Sequence, residues 1–269
     1  MIAAGETISN KSMLILVTND DGISSPGIQA LARAMKRLGE VYVIAPDRER
    51  SAASHSLTLH KPLRIDEVGP RAYAVSGTPT DCVNLAVNEI LPRRPALVVS
   101  GINRGANLGD DVSYSGTVSA AMEGTILGIP SIAVSQVGEK KFHFETSARF
   151  AVRLARLVLS HGLPPDTLLN INAPDRPPRE VKGIRVTCLG KRIFDSNTII
   201  KKEDPRGKTY YWIGGNRVNW EERKDTDQEA VEAGLVSVTP VHLDLTNYTA
   251  LAVLRKWERR MGPPRRTGR

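Results

Sequence analysis

Residues 19–22, Asn-Asp-Asp-Gly, close an apolar run and place two carboxylates side by side. Adjacent like charges repel, and the repulsion raises one of the two pKa values unless a cation removes it. Carboxylate, amide and hydroxyl oxygens are hard ligands, suited to Mg²⁺ or Mn²⁺ and not to zinc. On an extended strand Asp20 and Asp21 would point to opposite faces. The turn that Gly22 permits lets both reach one ion. The same residues also read as a plain turn with Asp20 as a helix cap, and the spacing leaves both readings open.

A second segment, Ser113-Tyr114-Ser115-Gly116-Thr117, precedes Val118, Ala121, Met122, Thr125 and Ile126 at helical spacing. Ser115, Gly116 and Thr117 at a helix start offer free N–H groups, hydroxyls and the positive end of the helix dipole, which together make a phosphate cradle. An ordinary Ser/Thr N-cap is the alternative. A cation site beside an anion cradle is the combination that metal-dependent phosphomonoester hydrolysis needs.

Other signals carry less. Gly101, Gly105 and Gly109 do not form the dinucleotide-binding pattern, no P-loop occurs, and the five histidines show no metal-ligand spacing. His55, in Ser54-His55-Ser56 near Ser51, is a candidate to face the site, although a lone loop histidine is more often structural. Cys82 stands at a helix start without a companion base and reads as a packing residue.

These residues must be positioned by strands and helices in alternation. Strand-like runs occupy 13–17, 41–45, 97–100, 131–135 and 168–172, with helical patterns at 28–38, 81–91, 119–127 and 147–159. Such alternation predicts an α/β fold, a Rossmann-like mostly parallel sheet with helices on both faces. Ligands of open parallel sheets bind beyond the carboxyl ends of the strands. The exits read 18–22, 46–51 and 101–109, each polar and the last glycine-rich. The expected organisation is an extension over 1–12, a catalytic core over 13–190, a β-hairpin arm over 191–224, a strand and helix over 225–260, and a basic tail over 261–269. The aromatic run at 210–213 makes the hairpin a candidate partner surface, or else it folds back on its own domain.

The chain has 269 residues, 41% of them hydrophobic, enough for one large domain. No apolar run approaches the roughly 20 residues of a membrane span, and the N-terminus lacks the pattern of a signal peptide. Two cysteines without metal or disulfide spacing favour a reducing cytoplasm. The net charge is +8, but the last fifteen residues hold seven Lys/Arg against one Glu. The charge thus sits in a Pro-containing tail, and it argues only weakly for nucleic acid.

The stretches LVTNDDGI (16–23), APDRERSAASHS (45–56), SGTPTDCV (76–83), 98–135 and LLNINAP (168–174), in this order, resemble the SurE (survival protein E) family of 5′/3′-nucleotidases. The resemblance implies a metal-dependent phosphatase acting on nucleoside monophosphates, with side activity on other phosphoesters including short polyphosphates. By motif position, the family's cation ligands fall on Asp20, Asp21, Ser51 and Asn107, holding one divalent cation per subunit, Mg²⁺ or Mn²⁺. Its phosphate contacts fall on Asn19, Asn103, Ser115, Gly116 and Thr117. It also implies a homo-oligomer, a dimer or a tetramer, built through the hairpin and the C-terminal element.

Within that reading Asp20, or else Asp21, orients or deprotonates the attacking water. Two rivals stand beside it. An aspartyl-phosphate phosphatase usually carries D-x-D at the strand exit, whereas here the carboxylates are adjacent. A nucleotide-sensing or RNA-binding module would bind without releasing phosphate and would lose affinity with the tail.

Overall fold

The computed structural model describes residues 13–138, 142–193, 199–213 and 219–262. The expected extension over 1–12 lies outside them, as does the tail beyond Gly262. In chain order the elements are β1 (Leu14–Thr18), α1 (Pro26–Met35), β2 (Glu40–Pro46), β3 (Ile65–Gly69), β4 (Ala72–Val75), α2 (Pro79–Leu85), β5 (Leu97–Arg104) and α3 (Gly116–Ile126). There follow β6 (Ser131–Gln136), α4 (Phe144–His161), β7 (Thr167–Ala173), β8 (Ile184–Val186), β9 (Arg192–Ile193), β10 (Ile199–Glu203), β11 (Thr209–Ile213), β12 (Asn219–Trp220), α5 (Asp227–Glu232), β13 (Val236–His242) and α6 (Tyr248–Met261).

The central sheet has nine strands in the order β3-β4-β2-β1-β5-β6-β7-β13-β8. From β4 through β7 every pairing is parallel, whereas β3 and β13 run antiparallel to β4 and β7. The alternation of side chains along β1 explains the layering. Ile15 and Val17 pack with Leu31 and Met35 of α1 and Phe150 and Leu154 of α4. Leu16 points the other way, into a cluster with Cys82 and Val83 of α2 and Ala120 of α3. With helices on both faces, β1 is buried along its whole length. That is why it reads as an unbroken apolar run. Each fully buried Leu or Ile of this kind contributes about 1.5–3 kcal/mol.

Three departures from the sequence pattern matter. β5 continues to Arg104, with a register irregularity between Gly101 and Asn103, so Asn103 sits on the strand end and not in a loop. α1 begins at Pro26 because the Ser25 hydroxyl caps it, accepting the N–H of Ile28. The β3–β4 hairpin escapes a search for apolar alternation because β3 is exposed and polar at its centre.

Within 191–224, β10 and β11 form an antiparallel ladder from Ile199↔Ile213 to Glu203↔Thr209, and β9 pairs with β12 at its base. The side chains of β11 are exposed, with Trp212 at 61% and Ile213 at 87%. Among the described residues, no helix is long and apolar enough to cross a membrane.

Candidate functional site

The order of strands sets the site. The chain steps from β1 to β2 on one side and later to β5 on the other, so the crevice beyond β1 is flanked by both exits. Asn19, Asp20 and Asp21 lie there. Gly22 turns the chain with φ +92°, and the next N–H, of Ile23, donates to the Pro46 carbonyl at 2.9 Å. The Asn19 amide donates to the Gly22 carbonyl at 3.1 Å and the Ser25 hydroxyl at 2.8 Å. Both Asn19 N–H groups are thus spent inside the turn. Its Oδ1 is buried without a partner among the described residues.

Asp20 is 5% exposed and is met from α3. The Thr117 hydroxyl donates to Asp20 Oδ1. Gly116 comes so close that a Cβ there would stand 2.8 Å from Asp20 Cβ and 2.9 Å from Oδ2. The helix start and the first strand exit therefore form one site. The Ser115 hydroxyl accepts the Val118 N–H at 3.1 Å. It is accordingly the helix cap, and the backbone N–H groups beside it are what the helix start offers an anion.

Asp21 accepts the backbone N–H of Arg104 on Oδ2 at 3.1 Å, which brings the β5 exit to the pair. Burial pushes the Asp20 carboxyl above the usual carboxylate range, with the Thr117 hydroxyl opposing. Burial, and then the charge of Asp20, lifts Asp21 to about 6, while the Arg104 N–H and guanidinium pull the other way. Glu49 adds negative charge toward both aspartates.

Asn103 donates to the Gly105 carbonyl at 3.0 Å, which shapes the strand exit. Asn107 is buried and closely held. Its N–H donates to Asn172 Oδ1 at 2.8 Å, its carbonyl accepts from the Asn170 and Asn172 amides, and its Nδ2 donates to the Ser135 hydroxyl at 2.8 Å. Asn107 Oδ1 has no hydrogen-bond partner among the described residues. Ser51 is exposed and donates to Glu49 Oε1 at 2.7 Å. It is joined to the aspartates through its neighbour, since the Arg50 N–H donates to the Asp20 carbonyl at 2.8 Å. Among the described residues, neither Ser51 nor Asn107 makes a hydrogen bond to the Asp20 or Asp21 carboxylate.

His55 does not turn to the aspartates. Its Nε2 lies 3.0 Å from Glu123 Oε2 on α3, while Asn84 holds Oε1 at 2.9 Å. The His55 bond keeps the Glu123 carboxyl below its ordinary range. Cys82 is fully buried, and burial drives its thiol pKa up, as suits a packing residue.

The donor chemistry fits a hard divalent cation. No cluster of three His, Cys, Asp or Glu able to hold a metal exists among the described residues. A cation here would therefore draw on amide and hydroxyl oxygens besides the two carboxylates. Asp20 Oδ2, Asp21 Oδ1 and Asn107 Oδ1 are such oxygens, left without hydrogen-bond partners among the described residues. Adjacent carboxylates, Asp20 buried and Asp21 half-buried, both pushed toward neutrality, are the electrostatic demand that a cation answers.

Sequence reasoning missed the residues that hold these groups: Arg104, Glu49, Ser135, Asn170 and Asn172. Asn170 and Asn172 had left a signal, two amides at i and i+2 on one face of an otherwise apolar strand.

The family model for survival protein SurE matches residues 15–196, a span that contains every strand exit described above. The chain belongs to the SurE family. It is 57% identical over 247 residues to the 5′-nucleotidase SurE of Geotalea daltonii, covering 91% of this chain and 99% of that one. It is 55% identical over 242 residues to the 5′-nucleotidase SurE of Moorella thermoacetica, covering 88% and 93%. Among solved structures, the SurE protein from Aquifex aeolicus superposes with a TM-score of 0.83 at 49% identity, over 91% of this chain and 99% of that one. The resemblance that the motifs carried thus extends through the SurE fold as a whole.

Proposed function

We propose that the chain hydrolyses nucleoside 5′- and 3′-monophosphates to nucleoside and phosphate, with one Mg²⁺ or Mn²⁺ per subunit. The observation that carries this reading is the juxtaposition of Asp20 and Asp21 with the N-terminus of α3 at one crevice. Relatives named 5′-nucleotidase SurE, more than half identical over most of the chain, support the substrate class.

In this reading Asp20 and Asp21, with Ser51 and Asn107, hold the cation. When bound, the ion supplies Lewis-acid charge to the phosphoryl group and acidifies water. The N–H groups of Gly116 and Thr117, with the Asn103 amide, take the phosphoryl oxygens and stabilise the charge that builds on them. Asn19 serves them by bracing the turn. Water attacks phosphorus, the ester P–O bond breaks, and the nucleoside oxygen leaves with a proton. Asp20 orients the water or takes its proton; the Thr117 hydroxyl fixes Oδ1 and leaves Oδ2 for that role. A pKa lifted by burial makes the carboxylate a stronger base than an exposed aspartate.

Short polyphosphates are secondary substrates in this reading, resting on the resemblance. A homodimer or homotetramer formed through the hairpin arm accords with the exposed Tyr211, Trp212 and Ile213. The free thiols Cys82 and Cys188 accord with a cytoplasmic location.

Phosphate release from a panel of 5′- and 3′-nucleotides, with and without each cation, tests the proposal. Release that requires Mg²⁺ or Mn²⁺ and favours nucleoside monophosphates supports it. Tight nucleotide binding with no release would point instead to a sensing module.

A further inference from the structure

A cavity of about 670 Å³ opens between α1 and α4, and none of the strand-exit residues lines it. Its volume falls in the range of ligand pockets, roughly 300–1,000 Å³. Arg33 in the last turn of α1, Arg37 in the turn that follows it and Arg149 of α4 line the cavity, against Glu145 as the one carboxylate of its lining. None of the three arginines has an ion pair or side-chain hydrogen bond among the described residues.

The same cavity carries an aromatic wall. Phe142 and Phe144 stack with ring centroids 5.5 Å apart and planes 8° from parallel, and both line the space. Beside them His143 is fixed by Asp175, with Nδ1 2.8 Å from Oδ1 and its backbone N–H on the same oxygen at 3.0 Å. A stacked aromatic pair suits a planar ring, and a fan of unpaired guanidiniums suits phosphate, since each fork can hold a phosphate bidentately.

We infer that the cavity between α1 and α4 is a second ligand site, which takes a nucleoside polyphosphate with its phosphates on Arg33, Arg37 and Arg149 and its base against Phe142 and Phe144. A single phosphate would leave guanidiniums unused, and an inorganic polyphosphate would leave the rings unused. The inference is independent of the reaction at the strand exits.

Titration calorimetry of the full-length protein in EDTA, with ATP and with inorganic tripolyphosphate, tests it. Binding of ATP that falls at least tenfold in the Arg33→Glu/Arg37→Glu variant and in Phe142→Ala, but persists in Asn103→Ala, is the expected result. Tripolyphosphate should bind several-fold more weakly than ATP. The milder Arg149→Gln, on an exposed position, serves if the charge reversals disturb folding as judged by circular dichroism. ATP affinity unchanged in all these cavity variants, no ATP binding at millimolar concentration, or equal affinity for tripolyphosphate would each overturn the inference.

Discussion

The Asp227 carboxylate accepts the backbone N–H of Gly109 at 2.8 Å across 118 residues of chain, and its other oxygen accepts the N–H of Gly190 at 2.8 Å. One buried side chain therefore ties the glycine-rich exit of β5, which carries Asn107, to the root of the hairpin arm. Replacing Asp227 with Ala leaves both N–H groups without acceptors, at roughly 1–3 kcal/mol each. Urea unfolding should show that loss, and cation affinity should weaken as the loop loosens. Stability within 0.5 kcal/mol of the parent, on the order of a neutral surface change, would show the tie to be incidental.

Asp20→Asn keeps the shape of the side chain and removes its charge. Turnover should fall by about 10²-fold or more, the usual scale for a lost acid or base, with an unchanged circular dichroism spectrum. Near-normal turnover at saturating cation would exclude Asp20 as a ligand or base.

Gly116→Ala probes the contact between strand exit and helix. The new methyl would stand 2.8 Å from Asp20 Cβ, with Pro79 Cγ at 3.2 Å on another side. Overpacking of this kind costs about 1–3 kcal/mol, so the melting temperature should drop and KM should rise as Asp20 is displaced. A variant with parental KM would mean that the crevice tolerates the shift.

The raised carboxyl of Asp21 predicts a pH dependence of known sign. Its folded pKa of about 6 lies above the unfolded value, so the native state binds the extra proton. The metal-free protein keeps this contribution below the unfolded pKa and loses it as pH rises through about 6. A divalent cation favours the ionised pair and acts in the opposite direction. The rise in melting temperature on adding Mn²⁺ should therefore grow between pH 5 and pH 7. A Mn²⁺ effect that is flat across that interval would remove the aspartate pair from the cation site.

The layered α/β architecture was legible because β1, β2, β5, β6 and β7 are central strands, and burial on both faces writes itself as continuous apolar runs. Asp20 and Asp21 were legible because they stand where such a run ends. The support of the site was not. Arg104 reaches Asp21 through its backbone N–H, which any residue would provide, so nothing in its side chain announces the contact. Asp227 stands far along the chain, at the first turn of a short helix, where an acidic residue is ordinary. The extra length of β5 and the exposed strand β3 depend on pairing with neighbours and leave no periodic trace.

The contact between Asp20 and Thr117 spans 97 residues of chain. At about 5–20 residues per second of synthesis, Asp20 leaves the ribosome roughly 5–20 s before its partner. Throughout that interval the nascent chain carries the two aspartates without the contact from α3. The crevice, and any cation affinity it has, comes into being only when α3 docks. Cation capture on stalled nascent chains of increasing length would thus report the moment at which the sheet closes around its first strand.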